Sequence, residues 1–128
     1  MTDTNLLLDS SVWLAFLKGE NEKVKEYVLS DRSIFTSSLS IYEVTRKLIK
    51  SKYKKGVIKN RIDFIKGQSF IVEADEEVSE KAAYDSLHYK LHAIDALIYR
   101  TALENNAKLI TMDYDFHKLP GVRIVKQE

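Results

Sequence analysis

Cysteine is absent from the 128-residue chain, proline occurs once and glycine four times. Without cysteine there is neither a disulfide framework nor a thiolate zinc site, so any metal must sit on carboxylates, imidazoles or backbone oxygens. That restriction favours a hard cation. No apolar run approaches the roughly 20 residues that a membrane span requires, and the opening Met1-Thr2-Asp3-Thr4-Asn5 lacks the basic segment of a secretory signal. A cytoplasmic protein without membrane attachment is therefore expected. Internal repeats and low-complexity tracts are missing too. What is present is ordinary for a globular chain, with 45% hydrophobic and 30% charged residues, and the length suits a single domain over residues 1–128.

The net charge of +1 conceals an uneven distribution. Arg46, Lys47, Lys50, Lys52, Lys54, Lys55, Lys59 and Arg61 occupy one stretch with no acid among them, eight of the 20 basic residues. Such a run is either the solvated face of a helical hairpin or a surface that meets phosphates.

Short apolar runs at residues 6–8, 34–35, 70–72, 109–110 and 122–125 read as five strands. Between them lie segments of helical period: Val12, Trp13, Phe16 and Leu17; Val24, Tyr27 and Val28; Ile41, Val44, Leu48 and Ile49; Ile58, Ile62 and Ile65; then residues 78–87 and 94–103. Strands alternating with helices, with little room for hairpins, predict an α/β fold. It should be a three-layer α/β/α sandwich on a mostly parallel sheet of about five strands. Gly19, Gly56, Gly67 and Gly121 are expected in turns, and Pro120 just ahead of the last strand. Ligands of such sheets bind beyond the carboxyl ends of the strands, where Asp9 follows the first run and Asp113 the fourth.

Each acid has a local structural explanation. Asp9 suits the N-cap of a helix beginning near Ser11. Glu43 completes the capping-box pattern Ser40-Ile41-Tyr42-Glu43, although the apolar period allows that helix to start earlier. Asp95 falls in a first helical turn, where a carboxylate complements the helix dipole, and Asp113 and Asp115 suit a turn. As a set, acids beside strand ends and helix starts of one parallel sheet can converge, and clustered carboxylates repel unless a cation neutralises them. Oxygen ligands alone suit Mg²⁺ or Mn²⁺, ions often completed by phosphate oxygens of a substrate. A phosphodiester is then the natural substrate.

The residues that carry the pattern also resemble a known family. Leu6-Leu7-Leu8-Asp9-Ser10-Ser11-Val12-Trp13, Ser40-Ile41-Tyr42-Glu43-Val44, Ile94-Asp95-Ala96-Leu97-Ile98 with Ala102, and Leu109-Ile110-Thr111-Met112-Asp113-Tyr114-Asp115-Phe116 resemble, in order and spacing, the PIN domain. Within that family the likeness is to the small VapC toxins of VapBC toxin-antitoxin pairs. The resemblance implies a metal-binding and catalytic set of Asp9, Glu43, Asp95 and Asp113, with Asp115 as an auxiliary metal-binding acid and the hydroxyls of Ser10 and Thr111 in support. Ser10 stands where relatives often carry threonine. The family further implies endonucleolytic cleavage of RNA, a homodimer, and an inhibitory VapB-like antitoxin whose tail blocks the acidic groove. In that picture Arg46, Lys50, Lys52, Lys54 and Lys55 lie along a path for an RNA backbone, and Tyr53 is placed to stack on a base.

Three rivals stand beside this reading. His88, His92 and Asp95 have the i, i+4, i+7 spacing of zinc ligands on one helical face, provided the helix is unbroken between them. A PIN scaffold that binds nucleic acid or protein without cutting is the second. The third keeps the chemistry in an RNA-processing or DNA-cleaving nuclease. Trp13 and the edge of the second helix are the candidates for a dimer surface. The sequence carries no base-edge code, and it leaves the RNA target and the number of metal ions open.

Overall fold

The computed structural model describes residues 5–127; the segment 1–4, whose lack of basic residues argues above against a signal, lies outside them. The elements are β1 (Asn5–Leu8), α1 (Ser10–Lys18), α2 (Glu22–Val28), β2 (Ile34–Ser37), α3 (Ser38–Lys50), α4 (Lys55–Gln68) and β3 (Phe70–Val72). They continue with α5 (Glu76–Tyr89), α6 (Ala93–Glu104), β4 (Ala107–Thr111), a short 3-10 helix (Tyr114–Phe116) and β5 (Val122–Ile124). All four strand pairings are parallel, in the order β3-β2-β1-β4-β5. The α/β sandwich expected from the alternation is what forms, and among the described residues no helix is long and apolar enough to cross a membrane.

Side-chain alternation along the strands sorts the core into two layers. Leu6 and Leu8 of β1 join Ile34, Ile110 and the apolar sides of α1 to α4, including Val12, Trp13, Val44 and Ile65. Leu7 and Leu109, which pair in register, face the other way onto Ala96, Ile98, Tyr99 and Ala102 of α6. Leu6, Leu7 and Leu8 are all 0% exposed, the unbroken apolar run required of a central strand covered on both faces. Truncating Leu7 to alanine would cost about 2–5 kcal/mol.

The chain therefore winds β1, β2 and β3 toward one edge with helices on one face. It then crosses through α5 and α6 on the other face to β4. The order reverses between β1 and β4, and a crevice opens there at the carboxyl ends of the strands. Asp9 leaves β1 at this point and Asp113 follows β4.

Several expectations need correcting. Gly56 and Gly67 lie inside α4 rather than in turns. Each costs about 1 kcal/mol relative to alanine in a helix, but the apolar stripe of Ile58, Ile62 and Ile65 facing the core holds the helix together. Gly19 and Gly121 do occupy turns with φ of 72° and 80°. Ser40 does not cap α3. Ser37 does, accepting a hydrogen bond from the Leu39 amide at 3.0 Å, and the Ser40 hydroxyl is buried without a partner. Trp13 cannot belong to a dimer surface, being 0% exposed. Its indole N–H donates to Thr36 Oγ1 at 3.0 Å. Thr36 in turn meets Ser69 Oγ at 2.8 Å, and Ser69 donates to the Ile65 carbonyl at 2.7 Å. Because that carbonyl can only accept, the proton order runs one way from α1 through β2 to α4. This satisfied chain explains how polar Thr36 extends β2 beyond its apolar pair.

Candidate metal centre

Asp9 occupies the N-cap position of α1, but its side chain makes no capping bond. Its backbone amide donates to the Ile110 carbonyl at 3.0 Å, fastening the end of β1 to β4. The carboxylate turns inward, where Oδ2 accepts from the Thr111 hydroxyl at 2.7 Å and the Ser11 hydroxyl at 3.0 Å. Thr111 Oγ1 also accepts the Asp113 amide at 3.0 Å, and Ser11 Oγ the Met112 amide at 3.0 Å. Two hydroxyls thus tie the buried acid of β1 to the loop that carries the acid of β4.

Glu43 sits in the second turn of α3, and its Oε1 accepts from the Ser10 hydroxyl at 3.0 Å. Asp95 lies in the first turn of α6. Asp113 caps the 3-10 helix by accepting the Asp115 amide at 2.9 Å. Carboxylate oxygens of Asp95, Asp113 and Asp115 lie within 4.8 Å of one another. Asp115, only an auxiliary in the sequence reading, belongs to this group, which does not include Asp9 or Glu43.

Electrostatics join Asp9, Glu43, Asp95 and Asp113. Burial raises the Asp9 carboxyl above its ordinary range against the pull of Thr111 and Ser11, with the Asp113 charge adding to the rise. Glu43 is raised by burial, opposed by its bond from Ser10 and reinforced by Asp9 and Asp113. Asp95 is pushed up to about 6, first by burial and then by the charges of Asp113, Asp9 and Glu43. A protein that holds four mutually repelling carboxyls in one crevice bears a cost that a cation removes. The donor set is oxygen only, which fits Mg²⁺ or Mn²⁺ better than zinc.

The histidine alternative fails on geometry. The α5 helix ends at Tyr89, Lys90 turns left-handed with φ of 58°, and α6 starts at Ala93, so no continuous helical face carries His88, His92 and Asp95. His88 instead packs edge-on against Tyr89, with ring centroids 4.6 Å apart.

Sequence reasoning missed Ser11, whose signal was a second hydroxyl two residues past Asp9. It also missed Asp85, buried on α5, which binds Arg100 of α6 through two bonds of 2.7 and 2.8 Å. That bidentate pair clamps α5 to the helix bearing Asp95. Removing one partner of such a pair costs about 3–5 kcal/mol.

The basic stretch maps onto the α3–α4 hairpin. Arg46 lies one turn beyond Glu43, and Lys50 about 10 Å beyond it along the helix axis. Lys52 and Lys54 lie in the hairpin turn, and Lys55 opens α4. Lys59 pairs with Asp63 at 3.0 Å, and the Arg61 guanidinium covers one face of Tyr53 at 4.8 Å. Between the two helices runs a groove of about 640 Å³ over Ile41, Ile49, Tyr53 and Ile58, with Lys55 and Lys59 on its rim.

The fold is shared with solved structures. A toxin-antitoxin complex from Klebsiella pneumoniae superimposes with a TM-score of 0.79 at 22% identity, covering 92% of this chain and 95% of that one. VapBC2 from Rickettsia felis, bound to a DNA fragment from their promoter, gives 0.75 at 18% identity, with 98% and 100% covered. VapC20 from Mycobacterium tuberculosis, a sarcin-ricin loop cleaving toxin, gives 0.70 at 12% identity, with 92% and 98% covered. Compared by sequence with curated proteins, the chain matches none. Residues 6–122 match the PIN domain family, and with that match spanning nearly the whole chain, the protein belongs to the PIN-domain family.

Proposed function

We propose that this protein is a metal-dependent endoribonuclease and the toxin of a type II toxin-antitoxin pair. The observation that carries the reading is the oxygen-only cluster, in which Asp95, Asp113 and Asp115 converge within 4.8 Å at the reversal point of the sheet. Asp9, Glu43, Asp95 and Asp113 are the catalytic acids, and Asp115 completes the metal-binding set. Bound Mg²⁺ or Mn²⁺ would lower the pKa of a coordinated water and offset charge on the phosphodiester.

The chain's own groups supply the rest. Thr111 and Ser11 hold Asp9 in one orientation and Ser10 holds Glu43, so the ligands are set before any substrate arrives. Burial of Asp9 and partial burial of Glu43, Asp95 and Asp113 strengthen the charge interactions among them. Arg46 and Lys50, with Lys52, Lys54 and Lys55 beyond them, form a cationic path for the RNA backbone. Similarity to a sarcin-ricin loop cleaving toxin supports RNA as the substrate, and similarity to VapBC complexes supports a VapB-like partner. An amphipathic acidic segment of that partner suits the α3–α4 groove, whose lining combines apolar side chains with three lysines, Lys55, Lys59 and Lys66, and one acid, Asp63. The toxin acts as a cytoplasmic homodimer.

The test is cleavage of end-labelled single-stranded RNA with Mg²⁺ or Mn²⁺, comparing the wild type with Asp95→Asn purified in parallel. Cleavage that EDTA and the substitution both abolish is expected. Cleavage that survives the substitution overturns the assignment of the centre, and an inert wild type points to a PIN scaffold that binds without cutting.

A further inference from the structure

Beside the acid cluster lies a cavity of about 350 Å³, lined by Lys90, His92, Asp95, Tyr114, Asp115 and His117. Two of its walls are members of the metal-binding set, yet Tyr114, His117, His92 and Lys90 have no part in holding a cation. The sequence reading gave Lys90, Tyr114 and His117 no role, and His92 only the place in a zinc triad that the break between α5 and α6 rules out.

The aromatic side of the cavity is built by the 3-10 helix. In that conformation side chains three apart eclipse one another, and Tyr114 and His117 accordingly stack, with centroids 4.2 Å apart and planes 10° from parallel. The stack is pinned from below. His117 Nδ1 lies 2.8 Å from the Tyr114 carbonyl oxygen, which can only accept, so Nδ1 carries a proton and donates it there. Phe116, between them in sequence, is 0% exposed and anchors the turn in the core. Tyr114 itself is 68% exposed. The ring is thus held in place, backed on one face by an imidazole and open elsewhere, a flat surface on which another ring can stack.

On the opposite wall, His92 precedes α6 and its imidazole makes no capping bond. Lys90 is exposed at the left-handed turn between α5 and α6. The cavity therefore offers a flat aromatic surface, ring nitrogens and one ammonium, all next to the carboxylates of Asp95 and Asp115.

We propose that this cavity is a nucleobase subsite. The base of the nucleotide adjoining the scissile phosphate unstacks from its neighbours and lies on Tyr114, with Lys90 near the flanking phosphate. Protein surfaces that read single-stranded RNA use aromatic rings in this way, and a volume at the lower end of the range for small-ligand pockets suits one nucleotide-sized group. The proposal rests on the reading of the acid cluster as the cleavage centre and adds where the substrate is gripped. It makes Tyr114 a substrate-positioning and specificity-determining residue.

The test measures binding and cleavage separately on the full chain. Binding of labelled single-stranded RNA decamers is followed by fluorescence anisotropy in EDTA. Tyr114→Ala should weaken it about 5- to 150-fold, the range of one lost base stack, whereas Tyr114→Phe should match the wild type. Tyr114→Trp should bind as well as the wild type and lose fluorescence as RNA is added, because the new indole is exposed while Trp13 is buried. In Mn²⁺, Tyr114→Ala should raise KM and blur the base preference beside the cut, with thermal melting unchanged. Wild-type binding and base preference retained by Tyr114→Ala, or no RNA binding by the wild type, overturn the subsite. Binding that depends on Tyr114 without any cleavage leaves the subsite standing and removes the nuclease reading. Cleavage indifferent to Tyr114 does the reverse.

Discussion

The acidic crevice and the basic α3–α4 hairpin contain comparable numbers of charges, but they hold them in opposite ways. In the crevice, Asp9 is buried and bonded by two hydroxyls, Glu43 by a third, and Asp95 is pushed up to about 6 by burial and then by the neighbouring acids. On the hairpin, the lysines end long solvated side chains, and the one short ion pair, Lys59 with Asp63, is itself exposed. Fixed charges that repel one another store free energy which a cation releases. Mobile charges of one sign store little and give attraction without orientation. Chemistry requires the first kind of arrangement and adhesion needs only the second.

Breaking the contrast begins with the crevice, where the expected effect is largest. Asp95→Asn should lower RNA cleavage about 1000-fold, the scale of a metal ion's several kcal/mol, and at the same time raise the melting temperature of the metal-free protein by a few degrees. Parallel cleavage assays and thermal melts in EDTA check both halves, and a destabilised variant would contradict stored repulsion. One step smaller, Ser11→Ala should weaken Mn²⁺ binding about 10- to 100-fold, the usual penalty for removing a group that orients a ligand. Isothermal calorimetry reads this directly.

Proton linkage sharpens the comparison further. Asp95 has a folded-state pKa of about 6, raised from an ordinary value of 3.8, so between those values the folded protein binds more protons than the unfolded chain. Stability of the metal-free protein must then fall as pH rises through that window. Melting temperatures in EDTA should decline from about pH 4 to about pH 6, and saturating Mn²⁺ should flatten or reverse the trend. The smallest effect belongs to the hairpin. Neutralising Lys52, Lys54 and Lys55 together should leave melting unchanged and reduce the salt slope of RNA binding by up to about 2, given roughly 0.7 per phosphate contact on a single strand. An unchanged slope would remove the hairpin from the RNA path.

The parallel architecture was legible because its signals are periodic: a Leu-Leu-Leu centre strand, helical stripes such as Ile58, Ile62 and Ile65, and no hairpin turns. The reversal between β1 and β4 was not, since strand order depends on which face each crossover covers. Likewise Asp9, Glu43, Asp95 and Asp113 could be picked out by their places at strand ends and helix starts. The convergence of Asp115 with Asp95 and Asp113 depends on a 3-10 turn too short to leave a periodic trace. Gly56 and Gly67 misled because a glycine's local preference yields to an apolar face that must be buried. Trp13 misled as a dimer-surface candidate, although it shares the apolar stripe of Val12, Phe16 and Leu17, which the fold turns into the core.

The link between β4 and β5 is short for a parallel connection, which commonly needs a dozen or more residues and an α-helix. Here ten residues, 112–121, contain both Asp113 and Asp115, the aromatic stack, and Gly121. Gly121 has a left-handed φ of 80°, and its carbonyl accepts the Leu109 amide at 2.9 Å. The Tyr99 hydroxyl fastens the loop again at Pro120, 2.7 Å away. Fold and chemistry thus share a single length constraint. One residue gained or lost in this loop would shift the edge-strand register and the ligand geometry together. The turn at residues 51–54, which carries cations but orients nothing, should accept insertions freely. Among relatives of this chain, variation in loop length should accumulate there and be almost excluded from residues 112–121.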